Sequence, residues 1–419
     1  MTRVRRRQLG LLSVSFFAAS GLGLLFLIAA ARWLTPTENF HFQAVWGLVF
    51  AFGSVLGSVE QEVTRRSTSA ALDGRRTPVG AVQAIALAAM ASLVVLAALL
   101  ATPRGGEVVQ GSVPVIALVL LSVINFSVLV LVRGMLLGAH ALRGYAALLV
   151  GEALLRLVLI GVLVLAGVEA AVEWAVLATV AGSLVWVVTL RRLAHAVDWS
   201  VPRDPWRQVA GTVTALGIAN GLSALVLTGF PTVSIALLGQ STDLAVLMAV
   251  ITLARAPLAL LAPVQALTVP TVVRWSRSGD THRLSRALQY IAGGSAVAAV
   301  VAAAIGYVVG PWAVAFVLGA DYRPGPAMAA LVAASTCVMA GALLQAAALV
   351  ALQRYWQLTA CWAAAITSAA LLMLLAPWGA EQRGLGGFTL ASVVAFGATA
   401  VAVSRTVAAA GGREAQTAH

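Results

Sequence analysis

The chain has 419 residues, 61% of them hydrophobic and only 10% charged, with a mean hydropathy of +0.95. A water-soluble domain of that composition would expose large apolar patches, so the bilayer is its solvent, and at roughly 20 apolar residues per spanning helix the length allows about twelve spans and no sizeable soluble domain. All 27 basic residues are arginines, as GC-rich coding favours, and they give a formal net charge of +12. Because they fall in short loops and not on one basic domain, nucleic-acid binding is excluded.

Met1 to Arg7 is basic and runs directly into an apolar stretch without a small-residue cleavage site, which reads as a first span and not as a removable signal. Hydropathy then places spans near 9–31, 43–63, 79–101, 113–137, 145–167 and 170–190. A second set follows near 209–238, 244–269, 286–310, 325–351, 355–377 and 384–407. Runs of this length without alternation are helices, not barrel strands. The segment from Arg191 to Arg207 holds Pro202 and Pro205 and divides the spans six and six. The expected organisation is an N-terminal lobe over 1–190, a cytoplasmic linker over 191–208, a C-terminal lobe over 209–407 and a cytoplasmic tail over 408–419.

Short arginine-rich loops stay cytoplasmic. One set of alternate loops and both termini hold 21 arginines, including Arg65, Arg66, Arg75, Arg76, Arg133 and Arg143, whereas the opposite loops hold only Arg32, Arg104, Arg323 and Arg383. Arg156 and Arg255 fall inside spans. A miscounted span would scramble this alternation, so the distribution places both termini in the cytoplasm.

The two halves carry traces of a repeat. At an offset of 205, Thr37-Glu38 meets Thr242-Asp243, and at 210, Ala141-Leu142 with Tyr145 meets Ala351-Leu352 with Tyr355. An even number of spans per half gives both halves the same orientation, related by a pseudo-two-fold axis along the membrane normal, and a cleft between such bundles is the basis of alternating access.

Ala31-Arg32-Trp33-Leu34-Thr35-Pro36 followed by Glu38 and Phe40, a second span ending in Thr64-Arg65-Arg66, Leu142-Arg143-Gly144-Tyr145, and Leu318-Gly319-Ala320-Asp321-Tyr322 together resemble the polysaccharide-lipid flippases. These belong to the multidrug/oligosaccharidyl-lipid/polysaccharide exporter superfamily. The resemblance covers most of the chain through diffuse motifs. It implies a MATE-like, all-α integral membrane fold of two six-helix lobes around a central cavity. It further implies transfer of a polyprenyl-diphosphate-linked oligosaccharide from the cytoplasmic to the outer leaflet of a bacterial plasma membrane, with glycan polymerases or glycosyltransferases as partners and no cofactor. A diphosphate cannot cross hydrocarbon unaided, and cationic groups facing a wet cavity lower that barrier.

Arg255, in the eighth span beside Pro257, is the leading candidate for that cationic role; the alternative is a structural pair or a side chain that snorkels to the interface. Arg156 lies four residues after Glu152, a spacing that favours an internal ion pair over a ligand contact. Arg32 closes the first span, as an interfacial anchor or a guard of the outer mouth. Glu60 and Glu62 lie close to Arg65 and Arg66, where local pairing is favoured over proton coupling. Asn125, Asn220, Gln265 and Gln345 are polar positions within spans, suited to interhelical bonds or to sugar hydroxyls. Cys337, Cys361 and the five histidines have no ligand spacing, the sequon at Asn125 is buried in a span, Gly384-Leu-Gly-Gly is too short for a phosphate loop, and no catalytic constellation is visible.

Four other functions compete with the flippase reading. An ion-coupled exporter of cationic drugs would want an unpaired acid deep in the first lobe. A peptidoglycan-precursor flippase usually has fourteen spans. A membrane glycosyltransferase or polymerase needs catalytic residues on a large outer loop, and the outer loops here are short. The fourth is a scaffold of glycan assembly that does not transport.

Overall fold

The computed structural model describes residues 3–189, 196–200, 206–261, 268, 271–275, 278 and 281–417. Among these, ten helices are long and apolar enough to cross a membrane, and an eleventh crossing is made if a bent pair counts as one span. The protein is a multi-pass membrane protein whose described part forms two compact units, 1–239 and 240–419.

The first unit contains α1 (Arg3–Trp33), α2 (Pro36–Leu72), α3 (Val79–Leu100), the short α4 (Pro103–Val108), α5 (Val113–Gly138), α6 (Leu142–Leu165) and α7 (Val172–Gly182), which continues as a 3-10 helix to Thr189. Then come α8 (Trp206–Leu227) and α9 (Phe230–Leu238). Two strand residues, β1 (Thr77–Pro78), pair in parallel with β2 (Val197–Asp198). Helix α2 is the organiser of this unit, packing on α5 along its length and also on α3, α8 and α9. It starts where it does because Thr35 and Glu38 form a capping box and Pro36 occupies the first turn.

Residues 209–238 read as one span in the sequence, and the structure breaks it. α8 and α9 meet at 73° across Thr228-Gly229, and Pro231 lies in the first turn of α9. The pair packs on α2, where the Thr232 hydroxyl donates to the Ala44 carbonyl at 2.6 Å. The first compact unit therefore extends beyond the 191–208 segment and takes in the seventh hydropathy peak.

The second unit contains α10 (Thr242–Ala254), a 3-10 turn over Ala256–Leu261, α11 (Thr281–Leu318), α12 (Pro326–Ala351), α13 (Tyr355–Leu375) and α14 (Ala380–Thr417). α12 is its core helix, against α11, α14 and α10. Inside it the Thr399 hydroxyl donates to Gln345 Oε1 at 2.6 Å, so Gln345 bonds across helices. On α11, Val297, Val300, Val308, Trp312 and Phe316 are all exposed, which is an apolar face for lipid. The 244–269 span is also not one helix: α10 stops at Ala254, one residue before Arg255, and a tighter turn carrying Pro257 follows.

The repeat signals have a local cause. Thr35 and Ser241 each cap the helix that follows, and Thr37-Glu38 and Thr242-Asp243 are first-turn residues. The two caps are 206 and not 205 residues apart, and for the second pair the register shifts further. The equivalent turns hold His140 at φ 57° and Gln353 at φ 56°, each closed by the next residue's amide bonding back to Leu136 or Leu349, so the match runs at 213 residues and not 210. Tyr145 and Tyr355 therefore do not correspond.

Candidate functional site

The first unit encloses a cavity of about 330 Å³ between α1, α2, α5 and α6. Its α2 wall carries Trp46, Phe50 and Ser54 at four-residue intervals, which a 3.6-residue turn keeps on one face. Gly53 and Gly57 lie on the same wall and Gly23 on α1. A Cβ at Gly23 or Gly57 would meet nothing within 4 Å, so these glycines leave space and not a close helix contact.

The polar end of the cavity is built from Glu60, Arg133, Glu152 and Arg156. Glu152 is shared: Arg133 donates to its Oε2 at 2.5 Å and Arg156 donates to its Oε1. The three side chains are 13%, 7% and 6% exposed for Arg133, Glu152 and Arg156, so the cluster is desolvated and depends on its own neutralisation. Arg156 also donates through Nε to the Thr179 carbonyl of α7 at 3.2 Å. Its guanidinium carbon lies 5.4 Å from the Trp46 ring, 5.2 Å from Phe50 and 5.7 Å from Phe126, inside cation–π range of all three. Trp46 stacks on Phe50 at 4.2 Å and Phe50 meets Phe126 edge-on at 5.7 Å, so the rings form one cage around it. Gly182 permits this placement, because a Cβ there would lie 2.2 Å from Arg156 Cγ.

Glu60 does not join Arg65 and Arg66. Those two arginines both bind Glu62 at 2.7 Å, while Glu60 lines the cavity instead. Local pairing thus describes Glu62 and not Glu60, a difference of half a helical turn. Arg133 is a second correction. The loop-charge count groups it with the loop arginines, yet it is inside α5 and its Nε is buried without a hydrogen-bond partner.

The other sequence candidates among the described residues do not line this cavity. Arg255 lies in the second unit at the C-terminal end of α10, half-buried, with its guanidinium 5.0 Å from the Phe388 ring. Arg32 is exposed in the last turn of α1, where a cation complements the helix dipole. Asn220 is on α8 and half-buried; Asn125 is buried on α5 with its amide nitrogen unpartnered. Gln265 lies outside the described residues. Among the described residues no group of histidines, cysteines and carboxylates is arranged to hold a metal ion.

No family model matches the chain. An uncharacterised protein of Mycobacterium tuberculosis is 29% identical over 413 residues, spanning 93% of this chain and 90% of the relative. A second uncharacterised M. tuberculosis protein is 29% identical over 386 residues, spanning 84% and 82%. Among solved structures, a multidrug-resistance MATE family transporter of the MOP superfamily in an inward-facing conformation superposes with a TM-score of 0.65 over 93% of this chain and 95% of that one, at 12% identity. The chain has the MATE fold. A MOP superfamily transporter from Pyrococcus furiosus, described as having a binding pocket of reversed polarity, superposes with a TM-score of 0.60 at 13% identity over 96% of each chain.

Proposed function

We propose that this protein is a membrane transporter that moves a polyprenyl-diphosphate-linked oligosaccharide from the cytoplasmic to the outer leaflet of a bacterial plasma membrane, without covalent chemistry. The MATE fold supports transport in general, and the arginine distribution supports cytoplasmic termini. One observation about the cavity favours this substrate class over organic cations. Its Glu152 is already held by two guanidiniums, whereas Arg133 retains an unused buried N–H. A cationic drug gains from an open aromatic face that replaces its hydration, and the chain's own Arg156 fills the aromatic cage. An unused guanidinium donor suits a phosphate or sugar oxygen. The cavity volume is at the small end for ligand sites, so it takes only part of such a substrate while the lipid tail stays in the bilayer.

Trp46 on the cavity wall makes binding directly readable. Titration of the detergent-solubilised protein with a short-chain prenyl-diphosphate sugar should change tryptophan emission saturably, and Trp46→Phe should remove most of that change. Saturable binding of tetraphenylphosphonium with none of the diphosphate sugar would replace this reading by an ion-coupled exporter of organic cations, the alternative that the multidrug neighbours suggest.

A further inference from the structure

A second polar site lies at the far end of α2, outside the cavity just described. α2 has 37 residues, about 55 Å of helix at 1.5 Å per residue, against roughly 30 Å of hydrocarbon, so its last turns stand in the headgroup region. There the chain turns sharply through Gly74 at φ 68°, and the Arg75 amide bonds back to the Ala70 carbonyl at 2.8 Å. The Thr77 hydroxyl bonds Ser67 at 3.1 Å, and β1 then pairs with β2, setting Pro78 opposite Asp198. The end of α2, the turn that follows it and the sequence-distant β2 are thereby fixed around a cavity of about 180 Å³ lined by Arg65, Arg66, Ser69, Arg75, Arg76 and Asp198.

Arg65 and Arg66 both bind Glu62, and Arg75 binds Asp73 at 2.5 Å. Arg76 has no ion pair among the described residues, although it and Arg75 both act on Asp198 through space. Hydrogen bonds from the Ser200 hydroxyl and amide hold the Asp198 carboxyl below the usual carboxylate range, so this residue stays ionised and is the internal occupant of the arginine field. The volume is below that of sites for drug-sized molecules but ample for a phosphate group. Leu72 is 80% exposed and Trp199 63%, and each is adjacent in sequence to the turn or strand that shapes the site. An apolar residue and a tryptophan beside clustered arginines are the composition of a membrane–water interface.

From this arrangement we infer that the pocket formed by Arg65, Arg66, Arg75 and Arg76 binds a phosphate group, that of an anionic phospholipid headgroup at the membrane surface. It does not depend on what the protein transports. The test uses the full chain in detergent, with the thermal-unfolding midpoint followed against short-chain phosphatidylglycerol, diacylglycerol of the same chain length, and inorganic phosphate. Phosphatidylglycerol should raise the midpoint saturably and diacylglycerol should not. Arg76→Gln should weaken the half-saturating concentration about fivefold, the factor for one guanidinium at an anionic surface, while Asp198→Asn, which removes the competing carboxylate, should strengthen it. A saturable shift with phosphatidylglycerol alone assigns the lipid; one with inorganic phosphate as well, lost in Arg76→Gln, assigns the same pocket to phosphate from solution. An equal response to diacylglycerol, or responses to phosphate and phosphatidylglycerol that neither variant alters, would overturn the site. Asp198→Asn keeps the test decisive if Arg76→Gln does not fold.

Discussion

Replacing Glu152 by glutamine tests the cavity's charge arrangement with the least change in shape. Glutamine keeps the volume and one carbonyl acceptor, so the loss is the charge that Arg133 and Arg156 share across Oε2 and Oε1. Breaking a buried ion pair by removing one partner costs about 3–5 kcal/mol, because a desolvated charge is left behind. Here two guanidiniums are left. The three aromatic neighbours of Arg156 are the same in both proteins and do not enter the difference, so a loss of at least the lower bound, about 3 kcal/mol, is expected. For a unit of this size that is a fall of roughly 6–12 °C in the unfolding midpoint. Tryptophan fluorescence during a thermal ramp in detergent reads it. The double variant Glu152→Gln, Arg156→Met should recover at least half of the loss, since an apolar side chain of similar length then fills the ring cage. A single-variant change below about 1 kcal/mol, or a double variant equal to the sum of the two singles, would show that the three residues do not act as a desolvated unit.

Arg156→Ala should empty the ring cage while Glu152 keeps Arg133, and the variant should acquire tetraphenylphosphonium binding that the intact chain lacks; equilibrium dialysis checks this, and no gain would mean that Arg156 is not what excludes cations. Gly57→Leu should block transport without unfolding the protein, because a Cβ at Gly57 meets nothing within 4 Å and leucine is the better helix former by about 1 kcal/mol; an unimpaired transport rate would remove the cavity from the pathway. Gly182→Ala should do the reverse, lowering the midpoint by forcing Arg156 off α7 at a cost of about 1–3 kcal/mol, and an unchanged melt would refute that packing. Thr232→Val should cost about 1 kcal/mol through loss of the 2.6 Å bond to the Ala44 carbonyl, measured in the same melt.

What could be read from the sequence was what local spacing encodes. The hydropathy peaks match α1, α2, α3, α5, α6 and α7 and then α11 to α14, and the four-residue interval between Glu152 and Arg156 announced their contact, because helix geometry brings such residues together whatever surrounds them. Arg133 was missed for the opposite reason. Its partner is 19 positions away on another helix, and a window average near a span end cannot tell a buried arginine from a loop one. The cage was half visible, since Trp46 and Phe50 share a face of α2, but Phe126 joins it only through the packing of α5 on α2. Hydropathy also cannot register a change of direction, so the 73° break at Thr228-Gly229 and the stop of α10 at Ala254 each passed as a continuous span. Gly229, Pro231 and Pro257 were the available signals, and in membrane helices such residues are common enough that only the structure shows which of them bend the chain.

The central claim is that the protein carries a lipid-linked anionic glycan. The direct measurement is transbilayer movement of a labelled polyprenyl-diphosphate oligosaccharide in proteoliposomes, comparing the intact chain with Arg133→Ala, Arg255→Ala and protein-free vesicles. The account predicts protein-dependent movement that Arg133→Ala strongly reduces. No movement of the glycolipid by well-folded protein, with expulsion of an organic cation under a proton or sodium gradient from the same vesicles, would contradict it.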